Sequence, residues 1–186
     1  TLSSSSAASD VYKRQDPYIA TFGGFICLDI TRDGRVNVLP LKISDDDVRE
    51  LESNLLFFYT GVKRSSSSVL KDQGKSIKEN RSNAIDAMHQ IKKIGFKVKH
   101  ALESGDLTEF GRLQHEHWMA KKSTSLYIAN GPIDRWYERA LKNGAIGGKI
   151  MGAGGGGFLM LYCENGRDKL RKAIVKEGLR EVNFGF

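Results

Sequence analysis

The stretch GGKIMGAGGGGFLMLYC, residues 147–163, constrains the chain more than any other, because five glycines fall within the six positions 152–157, between two short apolar runs. The runs predict a strand over 149–151 and another over 157–163, with the glycines as the loop between them. Gly152 to Gly157 match G-x-G-x-x-G by letter, but a dinucleotide fingerprint needs a helix to open directly after the glycines, and FLMLYC is strand-like. A Walker A loop fails as well, since Ile150 rather than Ser or Thr follows Gly148-Lys149. Four glycines in succession are entropically costly to order, and a plain turn needs one or two. Close approach of another group explains the excess: bare backbone N–H groups can converge into a nest for phosphate oxygens. A packing or turn role is the alternative.

The rest of the chain supplies the layers around that loop. FICLDITRDGRVNVLPLKI predicts a hairpin, with Phe25, Cys27 and Ile30 before the Asp33-Gly34 turn and Val36, Val38 and Leu41 after it. Ser44 caps a short helix with an acidic first turn, and NLLFFYTG reads as a buried strand ending at Thr60-Gly61. From about residue 75 to 143 the period is helical. Ile85, Met88, Ile91, Val98 and Leu102 form one apolar face that stops at Ser104-Gly105. Asp106 and Glu109 resemble a capping box opening a helix whose apolar set is Leu107, Phe110, Leu113 and Trp118. Pro132 suits the first turn of a third helix carrying Ile133, Trp136, Tyr137, Ala140 and Leu141, closed at Asn143-Gly144. A last helix over 167–177, capped by Asn165 and stopped by Gly178, and a strand over 181–186 complete an α+β pattern. Helices pack on a mainly antiparallel sheet.

Composition narrows the function classes. The net charge of +7 is spread along helices rather than concentrated in a stripe, and HQIKKIGFKVKH reads as one solvated helix face, so nucleic-acid binding is not expected. A basic surface suits a small anionic substrate. No apolar run reaches the roughly 18–20 residues of a membrane span, so no membrane partner is expected and the chain reads as cytoplasmic. Cys27 and Cys163 lie in strand-like runs and are expected as buried free thiols. His115 and His117, two apart on a helix, do not make a metal pair; they are expected at the surface or partly buried. Trp136 and Tyr137 fall at core spacing. Residues 1–15, TLSSSSAASDVYKRQ, lack periodicity and resemble translated adapter sequence rather than native fold.

NGAIGGKIMGAGGGGFLMLY is similar to the third conserved motif of the GHMP kinase superfamily. QDPYIATFGGF, LLFFYTGVKRSSSSVLKDQ and HEHWMAKKSTS resemble the branch that acts on D-glycero-D-manno-heptose 7-phosphate, and the similarity covers residues 16–186. The resemblance implies a ferredoxin-like C-terminal domain over 44–186, with the hairpin of 16–43 as a remnant of an N-terminal domain. It implies ATP as phosphoryl donor, with Mg2+ held by residues of that N-terminal part, and a sugar phosphate as acceptor. The reaction would take the anomeric hydroxyl of heptose 7-phosphate to the 1,7-bisphosphate, and the truncated chain is expected to be inactive alone. A fucokinase- or galactokinase-like enzyme and a non-catalytic ligand-binding fragment are the alternatives.

Asp16, in QDPY, takes the family's catalytic aspartate position, where a carboxylate can orient the attacking hydroxyl and accept its proton. Pro17 departs from the usual Asp-Gln pair. Gly152, Ala153, Gly154, Gly155, Gly156 and Gly157 would lie beside the ATP phosphates. Thr60, Gly61 and Arg64, where a strand gives way to a Ser-rich segment, are candidates for the substrate's distal phosphate; solvated charge and simple caps explain them equally. LSSSSAASD resembles the superfamily's Ser-rich phosphate loop, but only about ten residues separate it from Asp16, too few for the intervening domain helix at about 1.5 Å per residue. Lys121 and Lys122 could face the same cleft, but a surface helix end explains them as well and is the favoured reading.

Overall fold

The computed structural model describes residues 17–31, 33–62, 82–124, 128, 131–152 and 154–186. After a helical turn over 17–22, β1 (Ile26–Ile30) and β2 (Val36–Pro40) form an antiparallel hairpin with Ile30 opposite Val36. Helix α1 (Asp45–Asn54) opens where the Ser44 hydroxyl accepts from the Asp47 amide at 3.1 Å, with Asp45, Asp46 and Asp47 at the positive end of the dipole. Strand β3 (Leu55–Tyr59) follows without a loop. Helices α2 (Ser82–Glu103), α3 (Leu107–Lys122) and α4 (Gly131–Lys142) lead to β4 (Gly147–Ile150), and β5 (Phe158–Tyr162), α5 (Arg167–Val175) and β6 (Arg180–Val182) complete the chain.

The four later strands lie in the order β4-β5-β3-β6, all antiparallel, with Ile150 opposite Leu159, Tyr59 opposite Phe158 and Phe57 opposite Val182. Two central neighbours joined through helices, flanked by the strands that follow them, make a split β-α-β, the ferredoxin-like plan. The sheet is apolar on both faces, which is why LLFFY and FLMLY read as continuous runs. Leu56, Phe58, Ile150, Leu159 and Leu161 pack with Ile133, Trp136 and Tyr137 of α4 and Leu170 and Ile174 of α5. Leu55, Met160 and Tyr162 pack with Leu51 of α1, Ile94 and Ala101 of α2, and Phe110 and Leu113 of α3.

Several expectations shift in register. The buried face of α2 runs through Ala84, Ala87, Ile94 and Ala101, whereas Met88 is 38% exposed. Small residues let α2 lie close on its neighbours, so alanines take the place a hydrophobicity count gives to methionine. Asp106 accepts from the Glu109 amide at 2.9 Å, while Glu109 turns to Arg112 instead of closing the box. Asn165 does not cap α5; Gly166 does, at φ 77°, with no side-chain hydrogen bond. Strand β4 begins at Gly147, earlier than its glycines suggest. Helix α5 ends at Val175, and β6 ends at Val182 because Phe184 and Phe186 leave the ladder for ring contacts with Phe57 (4.5 Å) and Phe25 (4.8 Å). Cys163 is buried as expected; Cys27 is half-buried, and both are free thiols. Among the described residues no helix is long and apolar enough to cross a membrane.

Gly95 offers a test of the α2 assignment. It lies on the exposed side of that helix with open space where a Cβ would stand. Gly95→Ala is therefore expected to stabilise the protein by about 0.5–1 kcal/mol, read as a higher urea midpoint, by removing chain entropy from the unfolded state. A lower midpoint would contradict a regular helix there.

Candidate phosphate site

The glycine loop joins β4 to β5 and is closed at its base by the Met151 amide donating to the Phe158 carbonyl at 2.8 Å. Two neighbouring segments clamp it. The Gly155 amide donates to the Ile128 carbonyl at 2.8 Å, and the Gly157 amide to the Val62 carbonyl at 3.1 Å. Gly155 is buried at φ 79°, a backbone that L side chains rarely adopt, and a Cβ on Gly156 would lie 2.4 Å from the Val62 carbonyl oxygen. Packing therefore accounts for part of the glycine run. The amides of Gly152, Gly154 and Gly156 have no protein partner among the described residues, and these are the donors left for an oxyanion.

Thr60 and Gly61 stand beside this loop. The Thr60 amide and hydroxyl both donate to the Gly157 carbonyl at 2.9 Å, and the same hydroxyl accepts from the Val62 amide at 3.3 Å. Thr60 thus fixes the loop, and Gly61, at φ 70°, turns the chain next to it. Asp16, Arg64 and Ala153 lie outside the described residues, as does Lys63. No cluster of three or more His, Cys, Asp or Glu suited to a metal ion occurs among the described residues, so these offer magnesium no such ligand set.

The reading of Lys121 as a surface residue is corrected by its contacts. Its ammonium donates to the Gly152 carbonyl, at the first residue of the loop, and burial pulls its pKa down to about 8, with the nearby Lys149 charge adding to the shift. Lys122 instead pairs with Asp134 at 3.0 Å and ties α3 to α4. Sequence reasoning missed Lys149, which extends from β4 three residues before the loop; burial lowers its ammonium to about 8 as well. Its signal was present: one charge inside an apolar and glycine run. His117, one turn before Lys121, is half-buried with its Nδ1 unpartnered; burial first, then Lys149 and Lys121, hold it neutral with a pKa of about 3. His115 also sits half-buried, its Nδ1 2.8 Å from the Tyr137 hydroxyl, and Trp136 and Tyr137 belong to the core.

Comparison with known proteins identifies this helix-flanked antiparallel sheet. Residues 98–181 match the family model described as GHMP kinases C terminal. The chain carries a GHMP kinase C-terminal domain. It is 34% identical over 173 residues to the D-glycero-alpha-D-manno-heptose 7-phosphate kinase of Campylobacter jejuni, covering 92% of this chain and 50% of that protein. A crystal structure from Campylobacter jejuni superposes with a TM-score of 0.68 at 30% identity, over 98% of this chain and 53% of the other. A D-glycero-D-manno-heptose 1-phosphate kinase from Bacteroides thetaiotaomicron gives 0.64 at 26% identity, over 98% and 51%. The chain spans about half the length of these relatives. Within the GHMP kinase C-terminal domain, the α+β architecture and the loop between β4 and β5 match the expectation from sequence.

Proposed function

We propose that the protein is an ATP-dependent sugar kinase whose acceptor is the anomeric hydroxyl of D-glycero-D-manno-heptose 7-phosphate, giving the 1,7-bisphosphate. The observation that carries this reading is the glycine loop, with three amides that have no partner among the described residues, in a chain 34% identical to a heptose 7-phosphate kinase. In this reading residues 44–186 are the C-terminal domain and residues 16–43 belong with the N-terminal one. Asp16 takes the proton of the anomeric hydroxyl as its oxygen attacks the γ-phosphorus, and the bond from that phosphorus to the ADP oxygen breaks. The anomeric hydroxyl is more acidic than an ordinary alcohol, so a carboxylate is base enough. The amides of Gly152, Gly154 and Gly156 hold phosphate oxygens, Thr60 keeps the loop in place, and Gly61 and Arg64 border the acceptor. ATP supplies the phosphoryl group, and magnesium is assigned to no described residue.

The test is phosphorus NMR of product formation by the protein encoded by the whole reading frame, with ATP and a panel of heptose 7-phosphate, fucose and galactose. Heptose 7-phosphate is expected to turn over fastest. Asp16→Asn is expected to lower kcat by about 10²–10⁴-fold with the fold intact, the usual span for removing a general base. Faster turnover of either unphosphorylated sugar would replace the heptose assignment with the fucokinase- or galactokinase-like one.

A further inference from the structure

Two half-buried lysines meet at the mouth of the glycine loop, one from the last turn of α3 and one from β4. Lys149 stands opposite Met160 in the β4–β5 ladder, two residues along from Gly147, which faces the α3 backbone, so by strand alternation it shares that side of the sheet. Lys121 reaches the same place from above and holds the Gly152 carbonyl. Neither has a carboxylate partner among the described residues, although Lys122 next door has Asp134. The residue one helical turn before Lys121 is a neutral histidine, not an acid. Two like charges brought together out of water without a counterion disfavour folding, and a fold that keeps them leaves a place for an anion from outside.

The geometry points to Lys121 and Lys149 as a two-cation clamp that binds a phosphate dianion at the entrance of the loop formed by Gly152 to Gly157. Point-like ammonium groups, one of them already on the first residue of the loop, suit the several oxygens of a tetrahedral oxyanion, whereas a planar carboxylate is better met by an arginine fork. The clamp deepens the kinase reading and rests on it only for the source of the phosphate, a sugar phosphate or a nucleotide. A bound dianion would also favour the charged form of both lysines, which burial disfavours.

The experiment uses the 186-residue chain and inorganic phosphate as probe, with binding read by calorimetry and by the side-chain NMR signals of the two lysines. Phosphate is expected to move both sets of signals, and Lys149→Met and Lys121→Met are each expected to weaken binding by about tenfold or more. Lys97→Met, on the exposed side of α2, is expected to change nothing. Lys149→Met should melt no lower than the parent, because the charge it removes has no carboxylate partner among the described residues. Glucose 6-phosphate displacing phosphate better than ADP assigns the clamp to the acceptor; the reverse assigns it to the nucleotide, and both keep the clamp. Unchanged affinity in both variants, or lysine signals that phosphate leaves unmoved, overturns it, and the signals give the answer even if a variant fails to fold. Loss of the clamp in a protein that still phosphorylates heptose 7-phosphate leaves the kinase reading standing. A clamp that holds in a protein with no phosphotransfer removes that reading instead.

Discussion

Gly147→Ala is expected to destabilise the protein by roughly 3 kcal/mol or more, a large share of the ~5–15 kcal/mol that holds a domain together. A Cβ at this position would stand 2.0 Å from the Gly111 carbonyl oxygen and 2.8 Å from the His115 amide nitrogen. Both are backbone atoms of α3, so no side-chain rotation relieves the contact; the helix must lift from β4. The reverse face is equally tight, since a Cβ on Gly111 would meet the Tyr162 ring at 2.3 Å. The two glycines let a helix backbone lie directly on a strand. A urea titration measures the effect, with Gly95→Ala as a glycine control of opposite sign, and a loss below about 1 kcal/mol would show that the contact yields easily. The consequence reaches the site, because α3 carries Lys121 and β4 carries Lys149.

Stability is expected to fall on acidification because of His117, by about 2–4 kcal/mol between pH 6.5 and pH 3. The folded protein keeps this imidazole neutral down to about pH 3, against 6.5 for the free side chain. Over that window the unfolded chain binds more protons than the folded one. Stability therefore rises with pH from about 3 and is fully present above 6.5. Carboxylates titrate in the same range, so the measurement is the difference between the parent and His117→Gln, whose acid limb should flatten. Coincident curves would place His117 in water rather than in a buried position. Lys121 and Lys149 act with the same sign on the alkaline side. Their folded values of about 8 lie below the 10.5 of free lysine, so their charges disfavour the fold fully below pH 8 and progressively less up to about 10.5.

Local chemistry made much of the fold legible. Ser44 and Asp106 cap their helices, Asp33-Gly34 turns the hairpin, and the apolar runs at 55–59 and 158–162 are strands, because each signal acts within a few residues of itself. Errors fell where a partner from elsewhere in the chain decided the outcome. The alanines of α2 are buried by what packs on them, and Phe184 and Phe186 leave β6 for rings that arrive from β3 and from just before β1. The site shows the same division. Its glycine loop announced itself by composition. Lys121 could be a surface helix end or a cleft residue until Gly152 was placed beside it.

The sequence by itself determined that a strand, a glycine loop and a second strand follow one another in an α+β chain of the GHMP kinase type, since periodicity, turn residues and motif are properties of neighbours along the backbone. Only the tertiary structure decided how the glycines divide their work. Gly147 admits a helix, Gly155 and Gly157 bond back into the fold, and the amides of Gly152, Gly154 and Gly156 have no partner among the described residues. It alone brought Lys121 and Lys149, which are 28 positions apart, to one point. Burial and like-charge proximity arise from packing, and no spacing along the chain encodes the distance between two ammonium groups.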